Sequence, residues 1–171
     1  MSILNVEIKA RCENPSRIRK ILKEKGASFK GTDHQVDTYF NVPEGRLKLR
    51  KGTIEQNLIF YRRSNSKRPK ASEINLLPVE HPDTLYQLLD NALGTKIIVH
   101  KQREIYFIEN VKFHIDEVEQ LGSFVEIEAI DEDGSIGAGT LDKQCREYME
   151  LFEIQDRQLV AQSYSDLLMR L

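Results

Sequence analysis

At 171 residues the chain is sized for one domain, residues 1–171, with room for a sizeable core. A net charge of −2 argues against binding nucleic acid through bulk charge, and 40% hydrophobic with 30% charged residues describes a folded, water-soluble chain. No apolar run approaches the ~18 residues of a membrane span, no secretory leader pattern opens the chain, and Cys12 and Cys145 form no CxxC pair; a reduced, cytoplasmic protein is expected.

A first strand is predicted over Ile3 to Cys12. Asn14-Pro15 supplies an N-cap and a proline in the first helical turn, Ile18, Ile21 and Leu22 follow at helical spacing, and Gly26 ends the helix. Strands are predicted over Asp33 to Asn41, Arg46 to Lys51, Asn57 to Arg63 and Ala71 to Leu77, with a tight turn at Pro43-Glu44-Gly45. The polar, basic stretch Ser64 to Lys70 reads as a mobile loop. A second helix starts at Pro82, carries Leu85, Leu88, Leu89 and Leu93 on one face, and stops at Gly94. Four more strands are predicted: Thr95 to Glu104, Ile105 to Glu109, Lys112 to Val118 and Ser123 to Ile130. An acidic turn, Asp131 to Gly134, leads to a helix over Thr140 to Phe152 with Leu141, Cys145, Tyr148 and Phe152 inward, and a short helix over Ser163 to Leu171 closes the chain. Short connections favour antiparallel pairing, and eight or nine closely spaced strands suggest one closed or nearly closed barrel with flanking helices, an α+β fold.

Several strands carry charge on alternate positions, so one face is apolar and the other ionic. Arg46, Lys48 and Arg50 share a face, as do Lys101 and Arg103; Lys9 and Arg62 are further cations. Three cations within two strand repeats repel one another, so gathering them inside a barrel calls for an anion. Phosphate suits, because arginine offers a bidentate fork and lysine a point charge. Glu126 and Glu128 share another face, with Glu7 and Asp116 on other strands. Hard divalent cations take such oxygens, Mg²⁺ through one or two carboxylates plus substrate phosphate. The bland alternatives are a solvated strand face and cross-strand ion pairs. His114, on the face of Asp116, is a weaker ligand candidate, and no P-loop, GxSxG or GxGxxG is present.

On these residues the chain resembles the CYTH family, the triphosphate tunnel metalloenzymes. Its mark, E-x-E-x-K in the first strand, here reads N-V-E-I-K at Asn5 to Lys9. Further matches are D-T-Y-F from Asp37 to Phe40, R-L-K-L-R from Arg46 to Arg50, K-Q-R-E-I-Y-F from Lys101 to Phe107, and the acidic stretch from His114 to Glu128. The segments K-Q-R-E-I-Y-F and L-G-S-F-V-E look most like class IV adenylate cyclases. The resemblance implies a closed antiparallel barrel forming a tunnel. It implies Lys9, Arg46, Arg50, Arg62, Lys101 and Arg103, with Lys48 added, as triphosphate ligands. Glu7, Asp116, Glu126 and Glu128 would hold or orient Mg²⁺ or Mn²⁺, and Lys9, Arg103 and Glu126 would carry catalysis. The implied reaction is conversion of ATP to cyclic AMP and pyrophosphate. The alternatives are hydrolysis of tripolyphosphate, thiamine triphosphate or a nucleoside triphosphate, and a non-catalytic triphosphate-binding module. The sequence is compatible with a homodimer. The departure is Asn5, a neutral oxygen ligand where the family has its first glutamate.

Overall fold

The computed structural model describes residues 2–63 and 67–171. Eight strands close into one antiparallel barrel in the order β1-β5-β4-β3-β2-β6-β7-β8. They are β1 (Ser2–Arg11), β2 (Ser28–Phe40), β3 (Arg46–Lys51), β4 (Gln56–Tyr61), β5 (Lys70–Pro78), β6 (Thr95–Ile108), β7 (Val111–Val118) and β8 (Gly122–Asp131). Four helices flank it: α1 (Pro15–Glu24), α2 (Pro82–Leu93), α3 (Ala138–Leu151) and α4 (Tyr164–Met169), with a 3-10 turn at Asp156–Gln158 before α4.

The hydrophobic core lies outside the barrel. Val6, Ile8 and Ala10 of β1, Phe113 and Ile115 of β7, and Val125, Ile127 and Ala129 of β8 point away from the tunnel. They meet Ile18 and Leu22 of α1, Leu141 and Cys145 of α3, and Phe152. Phe113 stacks edge-on to Tyr148 at 4.8 Å and to Phe152 at 5.7 Å. Full burial of such a side chain is worth roughly 1.5–3 kcal/mol, and this layer offsets the cost of an ionic interior. The Cys145 thiol donates to the Val6 carbonyl at 3.1 Å, and burial pushes its pKa up to about 12, so it packs as a neutral group.

The predicted order is found, with two strand boundaries changed. The two strands expected over Thr95 to Glu109 are one strand, β6, because Glu104-Ile105 contains no turn former; the barrel has eight strands, the lower of the expected eight or nine. Strand β2 begins at Ser28, five residues before the expected start, and bulges between Phe29 and Gly31 to follow β6. The leucine face of α2 is not buried: Leu88 is 59% exposed and no residue of that helix is fully covered. Within the stretch expected as a mobile loop, Ser64, Asn65 and Ser66 lie outside the described residues, Lys67 and Arg68 are exposed, and Lys70 already opens β5. At the expected acidic turn, Asp131 folds inward and its carboxylate accepts the backbone N–H groups of Gly134, Ile136 and Gly137, fixing the entry to α3. None of the helices is long and apolar enough to cross a membrane among the described residues.

Candidate active site

Strand alternation sends one face of every strand into the tunnel. The register sets Lys9 opposite Glu126 and Glu7 opposite Glu128 across β1–β8, and His114 opposite Glu126 across β7–β8. On the other side of the barrel, Asp37 stands opposite Arg50 across β2–β3, and Arg46, Lys48 and Arg50 stand opposite Tyr61, Ile59 and Asn57 across β3–β4. Tunnel-lining cations (Lys9, Arg46, Lys48, Arg50, Arg63, Lys101, Arg103, Lys112) outnumber the lining carboxylates (Glu7, Asp37, Glu55, Glu126, Glu128) by eight to five. The walls differ in sign: β3 and β6 contribute only cations, and β8 only carboxylates.

Each cation is held. The Arg50 guanidinium forks onto Asp37 with both N–O distances 2.9 Å, and Lys101 Nζ donates to the same carboxylate at 2.5 Å, with Lys48 3.9 Å away. Burial alone would raise the Asp37 carboxyl; Arg50 and then Lys101 overcome it and hold the group well below the usual carboxylate range. Arg103 forks onto Asp116 at 2.7 Å twice and reaches Glu126 at 3.1 Å. Tyr164 of α4 donates its hydroxyl to Asp116 at 2.7 Å, Asp166 of α4 pairs with Arg46 at 2.8 Å, and Lys9 Nζ donates to the Gln162 carbonyl at 3.1 Å. The α4 segment is therefore strapped over one end of the tunnel. Arg63 pairs with Glu7 and donates to Ser72 Oγ at 3.1 Å. The Asn5 amide donates to Glu128 at 2.7 Å.

Ten of the eleven expected site residues come to this one wall system: Glu7, Lys9, Arg46, Lys48, Arg50, Lys101, Arg103, Glu126 and Glu128 line the tunnel, and Asp116 is bound to Arg103 just behind it. Arg62 does not. The β3–β4 register points odd-numbered residues of β4 inward, so Arg62 lies outside beside the Phe60 ring, 67% exposed, near Glu44. Arg63 follows the inward parity and takes its place. Asp37, Glu55 and Lys112 also line the tunnel, beyond the expected ligand set. Lys112 shares the face of His114 and Asp116, and Asp37 continues the polar alternation from Asp33 and Gln35, so both carried a signal. Glu55 sits in a turn and carried none.

Among the described residues no three His, Cys, Asp or Glu side chains converge as a ready-made metal cage. The acidic wall still fits a hard divalent ion that keeps water or phosphate ligands: Glu126 and Glu128 share one face of β8, and Glu7 faces Glu128. Beside them Asn5 Oδ1 is buried without a hydrogen-bond partner among the described residues, a neutral oxygen donor on the same wall. The nearest imidazole nitrogen, His114 Nδ1, lies 3.7 Å from Glu126, too far for a hydrogen bond.

A single barrel whose interior is ionic and whose main core lies outside defines a closed-barrel tunnel protein. The CYTH domain profile matches residues 4–164, and the chain belongs to the CYTH domain family. It is 27% identical to a Methanocaldococcus jannaschii protein provisionally named an adenylate cyclase, over 96% of this chain and 98% of that one. A Pyrococcus horikoshii structure superposes with a TM-score of 0.82 at 24% identity, covering 95% of this chain and 98% of that chain. A Hippeastrum structure, provisionally named an adenylyl cyclase and described as having a dominant triphosphatase activity, superposes with a TM-score of 0.58 at 15% identity, covering 99% and 94%.

Proposed function

We propose that this protein is a metal-dependent enzyme acting on a linear triphosphate, converting ATP to cyclic AMP and pyrophosphate. The carrying observation is the excess of cations over carboxylates in one enclosed tunnel, with cations on β3 and β6 facing acids on β8. Arg50, Lys48, Lys101 and Arg103 bind and align the phosphates, and Arg46, Arg63 and Lys9 extend that surface. Ion pairs with Asp37 and Asp116 hold the forks in place before substrate arrives, so little reorganisation is required of them. Glu126 and Glu128, with Glu7 and the side-chain oxygen of Asn5, would hold Mg²⁺ or Mn²⁺, which supplies Lewis-acid neutralisation of phosphate charge. Ile59 and Leu76, opposite each other across β4–β5, and Ile74 form the apolar part of the wall and suit the nucleoside. Hydrolysis of the triphosphate is the second reading. It draws on the activity described for the Hippeastrum protein, and the same cation array serves a water nucleophile equally well.

Product analysis tests both. The protein is incubated with ATP, tripolyphosphate and thiamine triphosphate, each with Mg²⁺ and with Mn²⁺, and products are separated by ion exchange. Cyclic AMP with pyrophosphate supports the cyclase, inorganic phosphate the hydrolase, and no product with any substrate overturns both.

The lysines give a pH prediction. Burial lowers Lys101 to about 8 even though Asp37 lies against it. A bound phosphate favours the ammonium form, so triphosphate binding takes up a proton above that pH. Affinity for metal-free tripolyphosphate is expected to weaken as pH rises through 8, by about tenfold between pH 7.5 and 9.5 relative to Lys101→Met, whose own profile calibrates the ionisation of the ligand. Parallel calorimetric profiles for wild type and variant would remove Lys101 from the site.

A further inference from the structure

We propose that Glu55 is a chain-length stop: reaching in from the β3–β4 turn, its carboxylate fills the anion position at one end of the tunnel and bars a further phosphoryl group. The inference rests on the triphosphate reading above and concerns which substrates of that class the tunnel accepts.

The turn is built to hold Glu55 in place. Asp33, fully buried, accepts the backbone N–H groups of Thr53 at 2.6 Å, Ile54 at 2.8 Å and Glu55 at 3.0 Å, and the Thr53 hydroxyl at 3.0 Å. Gly52 packs so closely that a Cβ there would stand 2.5 Å from the Glu55 carbonyl oxygen and 2.7 Å from the Asp33 carboxylate. Pinned in this way, the Glu55 carboxylate receives Lys112 from β7, Arg50 from β3 at 3.4 Å and Gln35 from β2 at 3.2 Å. Strands β3 and β7 are not neighbours; β2 and β6 separate them in the barrel. The side chain therefore spans the end of the tunnel and occupies two of its cations, the contacts a phosphate oxygen would otherwise make. Burial would raise the Glu55 carboxyl, but Lys112 and Arg50 hold it far below the usual carboxylate range, so the stop is an anion at any working pH.

The next inward residue along β7 is His114, only 2% exposed, and neither ring nitrogen has a hydrogen-bond partner among the described residues. An unpaired buried imidazole is costly unless a ligand satisfies it. His114 is placed to receive the outermost phosphoryl group on the tunnel side of Glu55. A fourth phosphoryl group would have to displace Glu55 from Lys112 and Arg50 or lie against its negative charge.

The test is calorimetric binding of pyrophosphate, tripolyphosphate and linear tetrapolyphosphate in EDTA to wild type, Glu55→Gln and Glu55→Asp. Wild type is expected to bind tripolyphosphate at least about tenfold more tightly than tetrapolyphosphate, and Glu55→Gln to narrow that ratio about tenfold, since like-charge juxtaposition at a binding site disfavours the wrong ligand by such factors. Glu55→Asp, its carboxylate withdrawn by one methylene, is expected to fall between them, and it carries the test if the glutamine variant does not fold. Equal wild-type affinity for the two chains, or an unchanged ratio in the folded variants, overturns the stop and leaves the triphosphate reading standing. Failure of wild type to bind any of the three overturns the reading and the stop together.

Discussion

Replacing Arg103 by methionine is expected to destabilise the fold by about 3–5 kcal/mol, because removing one partner of a buried ionic cluster leaves the others uncompensated. Asp116 is 1% exposed and Glu126 6%, and both rest on Arg103. After substitution Asp116 keeps the Tyr164 hydroxyl, while Glu126 keeps the Lys9 charge across β1–β8 and an imidazole at 3.7 Å. At roughly 2–4 °C per kcal/mol for a domain of this size, the thermal midpoint should fall by on the order of 10 °C. The loss should depend on pH in a defined direction. In wild type, burial would raise both carboxyls, but Arg103 holds each below its ordinary value; the stability they contribute is present above the unfolded carboxylate pKa and is lost on acidification. Without Arg103, the largest opponent of burial at both groups, the folded-state values rise even though Lys9 and His114 still favour the Glu126 anion, and protonation relieves the strain as pH falls. The gap between variant and wild type, read by urea unfolding, should therefore narrow below about pH 5. A gap that is constant or widens on acidification would show that packing of the arginine stem, not the stranded carboxylates, accounts for the loss.

The same cluster explains what could be read from the sequence. On β1, β3, β7 and β8 the inward face is ionic and the outward face mainly apolar, so alternation marks the tunnel wall there: Glu7 and Lys9 against Val6 and Ile8, Glu126 and Glu128 against Val125 and Ile127; on β6 the residues alternating with Lys101 and Arg103 are the polar His100, Gln102 and Glu104. Alternation gives two faces but not their absolute phase where both are mixed. At the end of β4, Arg62 and Arg63 are chemically equivalent, and only the β3–β4 pairing decides that Arg63 points in. Glu55 was illegible for another reason. Its position comes from the contacts Asp33 makes twenty or so residues away along the chain, a tertiary constraint that no local pattern announces. On α2 the leucines share one helical face, but that spacing does not say how deeply the face packs: no residue of the helix is fully buried and Leu88 stays in water. Acids such as Asp37 and Asp116 have a dual character that a sequence cannot resolve. They are charged like metal ligands, but here they are committed to Arg50 and Arg103, which leaves β8 as the wall where carboxylates outnumber their cationic partners.

That division of labour predicts opposite failures for two facing residues. Lys9 and Glu126 stand opposite each other across β1–β8, so either loss is felt at the same point of the tunnel. Glu126→Gln keeps the shape and removes a charge, and it is expected to weaken Mn²⁺ binding, read by paramagnetic resonance, while leaving metal-free tripolyphosphate binding as strong or stronger. Lys9→Met removes a cation whose burial lowers its pKa against the pull of Glu126 and Glu7, and whose ammonium donates to the Gln162 carbonyl and lies over the face of Tyr164 at 4.2 Å. It is expected to weaken tripolyphosphate binding and leave Mn²⁺ binding intact. Both should cut turnover by about 10²-fold or more, since metal neutralisation of phosphate charge is worth several kcal/mol and each 1.36 kcal/mol is a factor of ten. Circular dichroism should show both variants folded, because neither substitution strands an arginine: Arg103 keeps Asp116 when Glu126 is neutral. The decisive outcome is the crossing of the two binding phenotypes. If both variants lose metal and triphosphate together, the acidic and basic walls act as one undivided network, and the assignment of metal to β8 and phosphate to β3 and β6 fails even if turnover is abolished.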